Sequence, residues 1–140
     1  MTIFFRNLAN VSRDMKIDTG MEFLETIKDA FYQIEELKGT SLEAWRKWFD
    51  LYLQRLQKEK QTDEERRVKM NKVNPKYVLR NYMAQLAIDA ADKGDFSIVE
   101  ELYVLMKKPY EEQKESEKWF VKRPEWARHK VGCSMLSCSS

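Results

Sequence analysis

Turn-forming residues are scarce in this chain. Four Gly and three Pro in 140 residues leave few places to reverse direction and favour long elements. Cysteine is scarcer still, and both copies, Cys133 and Cys138, fall in the last eight residues, so no disulfide framework can hold a core. There is one histidine, His129, and neither a glycine-rich phosphate loop nor a His-Glu-x-x-His helix. No apolar run approaches the ~20 residues of a membrane-spanning helix. The opening Met-Thr-Ile-Phe-Phe-Arg is not the basic-then-apolar order of a secretory signal. An excess of one charge is missing too. Twenty-five Lys and Arg against 23 Asp and Glu give a net +2, which exerts no strong pull on nucleic acid or an anionic membrane.

What is present suits an all-α fold built on a single core. Hydrophobic residues make up 43% and charged residues 34%, too apolar a balance for disorder. Residues 2–9 read as a short helix and the following ten as a loop. A helix is expected from Met21 to Lys38, with Phe23, Ile27, Ile34 and Leu37 as its stripe and Gly39 as its stop. Thr40 with Glu43 reads as a capping box. The clearest helix follows it, because Trp45, Trp48, Phe49, Tyr52, Leu53 and Leu56 recur at helical spacing on one face.

A second capping box, Thr62 with Glu65, opens a basic helix through about Met70. Asn74-Pro75 is a boundary, and Pro75 suits the first position of a helix running to Lys93. Gly94 ends that helix and Asp95 caps the next, which predicts an antiparallel helical hairpin over about 75–108. Pro109 stops it, and Pro124 starts a helical turn. Residues 1–131 thus form a helical region, and 132–140 read as a flexible Cys-containing tail.

Few residues qualify for chemistry. The acidic residues sit mainly opposite the apolar stripes, where a charge normally faces solvent. His129, Cys133 and Cys138 match no familiar zinc spacing and number three, where a structural site takes four. The two cysteines remain as redox candidates, Cys138 first and Cys133 second, since an accessible thiol in a tail can meet another. Against that stands the plainer reading of two inert tail thiols. There are two basic clusters, Arg66 to Arg80 and Lys118 to Lys130, the second interleaved with Trp119, Phe120 and Trp126, but no nucleic-acid motif is present, which argues against RNA. The Trp45 to Leu56 stripe is a core face, wider than so short a chain readily covers.

Several segments carry a resemblance. Asn74-Pro75-Lys76-Tyr77-Val78-Leu79-Arg80-Asn81-Tyr82-Met83-Ala84-Gln85 resembles a segment of the selenoprotein O family, as do Gly94-Asp95-Phe96 and Pro109-Tyr110-Glu111-Glu112-Gln113. Phe4-Phe5-Arg6-Asn7-Leu8, Trp45 and Arg55-Leu56 also fit. The ending Cys138-Ser139-Ser140 is similar to the family's terminus, where some members carry selenocysteine in the place of Cys138.

The resemblance implies the C-terminal part of a protein adenylyltransferase, a pseudokinase that transfers AMP from ATP, with magnesium, to protein hydroxyl groups. The family's nucleotide and metal residues lie in an N-terminal kinase-like domain whose motifs do not occur here. No catalytic, cofactor-binding or metal residue is therefore carried over, and this chain is expected to bind no cofactor. Only Cys138 is carried over, as a redox position. The expected partners are that kinase-like domain and the parent's protein substrates, with no nucleic acid and no membrane. The chain is expected to be a piece of a longer product, mitochondrial in a eukaryote and cytoplasmic in a bacterium. A stand-alone helical interaction module without catalysis is the alternative.

Overall fold

In a computed structural model, residues 2–17, 20–130 and 132–133 are described, and among them the regular structure is entirely helical. The chain divides at the Asn74-Pro75 step into two compact units. In the first unit, α1 (Thr2–Leu8) leads to two 3-10 helices, Glu22–Ala30 and Ile34–Glu36. Then come α2 (Gly39–Lys58) and α3 (Asp63–Val73). The core of this unit gathers Leu8, Val11, Phe23, Leu24, Ile27, Phe49, Leu53 and Leu56.

The helix expected over 21–38 forms only as tighter 3-10 pieces. Adjacent Phe23 and Leu24 are both buried with Ile27, an arrangement that tertiary packing imposes over helical periodicity. Phe31 then swings to extended angles, φ −99° and ψ 140°, and sets its ring edge-on to Trp45 at 5.1 Å. Gly39 does not stop that segment. It turns the chain into α2 with φ +53°, a conformation that glycine adopts without strain. α2 therefore starts before Thr40, and the expected Thr40–Glu43 box is absent. Instead the Ser41 hydroxyl donates to the Lys38 carbonyl at 2.9 Å. The second box does form. The Glu65 amide donates to the Thr62 hydroxyl at 3.2 Å, and the Thr62 amide donates to the Glu65 carboxylate at 2.7 Å.

Two buried arginines join the ends of α1 and α3. Arg6, 4% exposed, extends from α1 and donates to the carbonyls of Asn71 (3.2 Å) and Asn74 (3.3 Å) at the end of α3. Arg66, 5% exposed, extends from α3 and donates to the carbonyls of Ala9 (3.4 Å) and Val11, just past α1. Its other terminal nitrogen bonds Asp63 at 2.7 Å. Each helix thus supplies the cation that satisfies carbonyls at or just beyond the end of the other.

The second unit contains α4 (Asn81–Ala91) and α5 (Ser97–Met106), followed by 3-10 helices Lys114–Trp119 and Glu125–Arg128. α4 and α5 pack as the expected hairpin. Gly94 supplies the turn with φ +82°, and Asp95 accepts a bond from the Ser97 amide at 2.9 Å. The core holds Tyr77, Tyr82, Met83, Ala87, Leu102, Leu105, Trp119, Ala127 and Cys133. α4 begins at Asn81 rather than at Pro75. The amides of Lys76 and Tyr77 both donate to the Pro109 carbonyl, at 2.8 and 3.0 Å, so this stretch is committed to a tertiary contact instead of a first helical turn.

The reciprocal arginines yield a prediction. Arg66→Met should destabilise the chain by about 2–3 kcal/mol in urea unfolding, since it leaves the buried carbonyls of Ala9 and Val11 without this donor, and Arg6→Met by about 1–2 kcal/mol, since the carbonyls it serves are only part-buried. The double variant should lose less than the sum, because both contacts hold the same helix pair. Strict additivity would show that the two contacts act independently.

Candidate functional site

The six-residue stripe of α2 does not go wholly into the core. Phe49, Leu53 and Leu56 are buried, whereas Trp45 and Tyr52 are half-buried and Trp48 is 38% exposed. Trp45, Trp48 and Phe4 of α1 come together with ring centroids 5.6–6.0 Å apart. Trp48 also stacks on Tyr52 at 5.4 Å, with planes 7° apart. Next to these rings α2 presents only Ser41 and Ala44. The shortfall in side-chain volume leaves an open concavity of about 500 Å³, lined by Phe4, Ser41, Ala44, Trp45 and Trp48. None of these side chains is charged, so the feature suits apolar contact and offers nothing to hold a phosphate.

The second unit contains a buried cation, Lys76. Its ammonium group bonds Glu112 at 2.6 Å and also Glu117, and lies 5.1 Å from the centre of the Phe120 ring. Burial alone would depress its pKa, but the bonds to Glu112 and Glu117 outweigh that and raise it above 10.5. Beside it the Tyr77 hydroxyl donates to the Gln113 carbonyl at 2.9 Å, and burial pushes the phenol's pKa above its ordinary value. The Gln113 amide in turn donates to the carbonyls of Leu105 (3.2 Å) and Lys108 (2.9 Å) at the end of α5. The Lys76-Tyr77 step and the segment Pro109 to Gln113, separate in sequence, thus form one clamp. A lysine committed to two carboxylates is a structural cation, and sequence reading alone missed that role. The signal available was Pro109-Tyr110-Glu111-Glu112, an acidic stretch following a helix stop.

The expected redox residues separate. Cys133, read as part of an exposed tail, is 4% exposed and packs in the second unit's core, its amide donating to the Lys130 carbonyl at 3.1 Å. The tail boundary expected at Gly132 therefore fails for Cys133, because this side chain has an apolar niche to fill. Cys138 lies outside the described residues. His129 is exposed, and no group of three or more metal-capable side chains occurs among the described residues. In the basic-aromatic run at 118–130 the aromatics divide between core and surface, with Trp119 at 7% and Trp126 at 46% exposure. Trp119 is buried with its indole N–H bonded to Glu101 at 2.8 Å, Lys118 pairs with Glu101, and Lys130 pairs with Asp89. No helix among the described residues is long and apolar enough to cross a membrane.

Comparison with known proteins gives a consistent picture. A family model described as protein adenylyltransferase SelO matches residues 1–107. Among similar proteins is the protein nucleotidyltransferase YdiU of Flavobacterium johnsoniae, 64% identical over 140 residues, which are 100% of this chain and 26% of that protein. The protein of the same name from Aromatoleum aromaticum is 45% identical over 100% of this chain and 25% of its own length. That from Rhodopirellula baltica is 46% identical over 100% of this chain and 27% of its own length. The chain spans about a quarter of the length of the curated relatives it matches.

The raised pKa of Lys76 sets a pH dependence. Its charged form is favoured in the folded state, so its contribution is complete below the unfolded value near 10.5 and is lost as pH rises through the higher folded value. Stability should therefore fall above about pH 10.5. Lys76→Met should reduce that alkaline fall and lower stability at pH 7 by about 1–2 kcal/mol. Thermal melts of both proteins from pH 7 to 11.5 test this, and parallel curves would count against the clamp.

Proposed function

The chain belongs to the SelO family of protein adenylyltransferases, and from that membership we propose that it is the C-terminal helical portion of an enzyme moving AMP from ATP to hydroxyl side chains of other proteins. The observation that carries this reading is the pattern of identity. Likeness to the Flavobacterium protein runs through every residue of this chain at 64%, yet takes in 26% of that protein's length. ATP and magnesium are assigned to a kinase-like, pseudokinase domain in the remaining length. That domain would also meet the protein substrate, and the two helical units serve it as a scaffold. Nucleotide binding draws on backbone amides at a glycine-rich turn or helix start, with a lysine or metal nearby. The buried lysine of this chain is already engaged by Glu112 and Glu117, which favours a supporting role.

Within the same reading Cys138 is a redox position. Its oxidation joins its sulfur to a second thiol in the remaining length of the parent. Each thiol loses a proton and an electron to a disulfide or peroxide oxidant. The burial of Cys133 makes it a poor partner.

A chimera tests the assignment: the matching quarter of the Flavobacterium relative is exchanged for this chain. With Mg-ATP labelled in its adenosine moiety, the chimera should label a protein acceptor, and this chain alone should not. Specific, dose-dependent labelling by the isolated chain would overturn the division of labour, and so would full activity in the relative with that quarter deleted. For the thiol, oxidant should change the chimera's activity at least twofold and leave a Cys138→Ser chimera unchanged. Equal responses would remove Cys138 from regulation.

A further inference from the structure

We propose that the concavity bounded by Phe4, Trp45 and Trp48 is the seat for an apolar side-chain ridge from the remaining three-quarters of the parent polypeptide. The inference rests on the proposed function, since it requires the chain to be part of a longer protein.

Three observations carry it. The first is chemical. Ser41, Ala44, Trp45 and Trp48 fall on one face of α2, and with Phe4 they make a lining without a charged group. The Ser41 hydroxyl is already spent on the Lys38 carbonyl. An ion or a nucleotide would find no counter-charge here, whereas an aliphatic or aromatic side chain would displace water from apolar walls.

The second observation is buttressing. Phe31 abuts Trp45 at 5.1 Å and Tyr52 stacks on Trp48 at 5.4 Å, so each indole is supported by a neighbouring ring of its own unit. A buttressed aromatic surface loses little side-chain entropy on binding, and tryptophan is over-represented among the residues that dominate interfaces. Ser41 to Trp48 spans about two turns of α2, which sets the length of the seat. The three rings touch one another at 5.6–6.0 Å, too close to enclose a cation between them. This argues against an aromatic cage for an ammonium group.

The third is the length outside this chain. The matched relatives are about four times as long, so a large partner surface is present at high effective concentration in the same polypeptide. A covalently linked apolar ridge therefore outcompetes a second copy of this chain, which must associate from dilute solution.

The test uses the chimera and reads docking without reference to activity. Trp48→Glu places a charge in the seat, and Ala44→Trp fills it without removing any existing packing. Both should make the chimera release this region at least tenfold faster in limited proteolysis, and both should split its single melting transition into two. Tyr103→Glu, at an exposed aromatic of the second unit, should do neither. Circular dichroism of the isolated variants should show unchanged helicity.

Unchanged proteolysis and melting in both seat variants would overturn the proposal. So would a dimer of the isolated chain in analytical ultracentrifugation that Trp48→Glu dissolves, since the occupant would then be a second copy. A chimera that shows the predicted uncoupling but transfers no AMP would sustain the docking seat while the assigned chemistry fails.

Discussion

The first unit depends on an exchange of cations between two helices. A helix as short as α1 has no appreciable stability of its own, and carbonyls buried where the chain leaves it need donors. Arg66 donates to those of Ala9 and Val11, just past α1, and Arg6 donates to those of Asn71 and Asn74 at the end of α3. Guanidinium groups suit the task because their planar array of N–H donors reaches two carbonyls at once. Once the two helices are fastened, Leu8 and Val11 are fixed against the α2 face that carries Phe49, Leu53 and Leu56. Phe4, one turn from Leu8, is then fixed beside Trp45 and Trp48. The aromatic concavity is thus a downstream consequence of polar contacts at the helix ends.

The second unit solves a related problem with a lysine and one carbonyl. Pro109 ends α5, and its carbonyl accepts from two successive amides, those of Lys76 and Tyr77. That junction turns the Lys76 side chain toward Glu112 and Glu117 and the Tyr77 ring into the core. The carboxylates are half-exposed, so the pair keeps part of its hydration while the ammonium is enclosed. This geometry avoids the full desolvation cost of a wholly buried pair. It also ties the Lys76-Tyr77 step to the Pro109–Gln113 segment, since each supplies the other's hydrogen-bond or ion-pair partners.

Elements governed by local chemistry were mostly legible in the sequence, the Thr40–Glu43 box being the exception, and those governed by distant contacts were not. The Thr62–Glu65 box, the Gly94 turn and the hairpin of α4 and α5 follow from side chains within a few residues, and each forms as expected. The segment over 21–38 carries a helical stripe yet adopts 3-10 turns, because burying Phe23 beside Leu24 and placing Phe31 on Trp45 are contacts that periodicity does not encode. Likewise the preference of proline for a first helical turn at Pro75 gives way to the Pro109 carbonyl, 34 residues later. Cys133 was hidden for the same reason. Its neighbours Gly132 and Ser134 suggest a tail, and only the assembled core reveals an apolar niche for the thiol. Of the candidate site, the aromatic stripe was readable at once, but the gap left by Ser41 and Ala44 depends on Phe4 approaching from another helix.

These arrangements bear on how such a chain recognises anything. Many of its basic residues are engaged within their own unit: Arg13 with Asp63, Lys76 with Glu112 and Glu117, Lys118 with Glu101, Lys130 with Asp89. Charges occupied in this way contribute little long-range field, and a net charge of +2 adds little more. A unit of some seventy residues has limited capacity to bury its own surface, and an α2 stripe with four large aromatics, Trp45, Trp48, Phe49 and Tyr52, leaves Trp48 38% exposed. Part of the exposed apolar surface lies where Trp45 and Trp48 meet Phe4, and part at Tyr32, Leu51 and Val73. An aromatic patch whose lining carries no charge discriminates by shape rather than by charge.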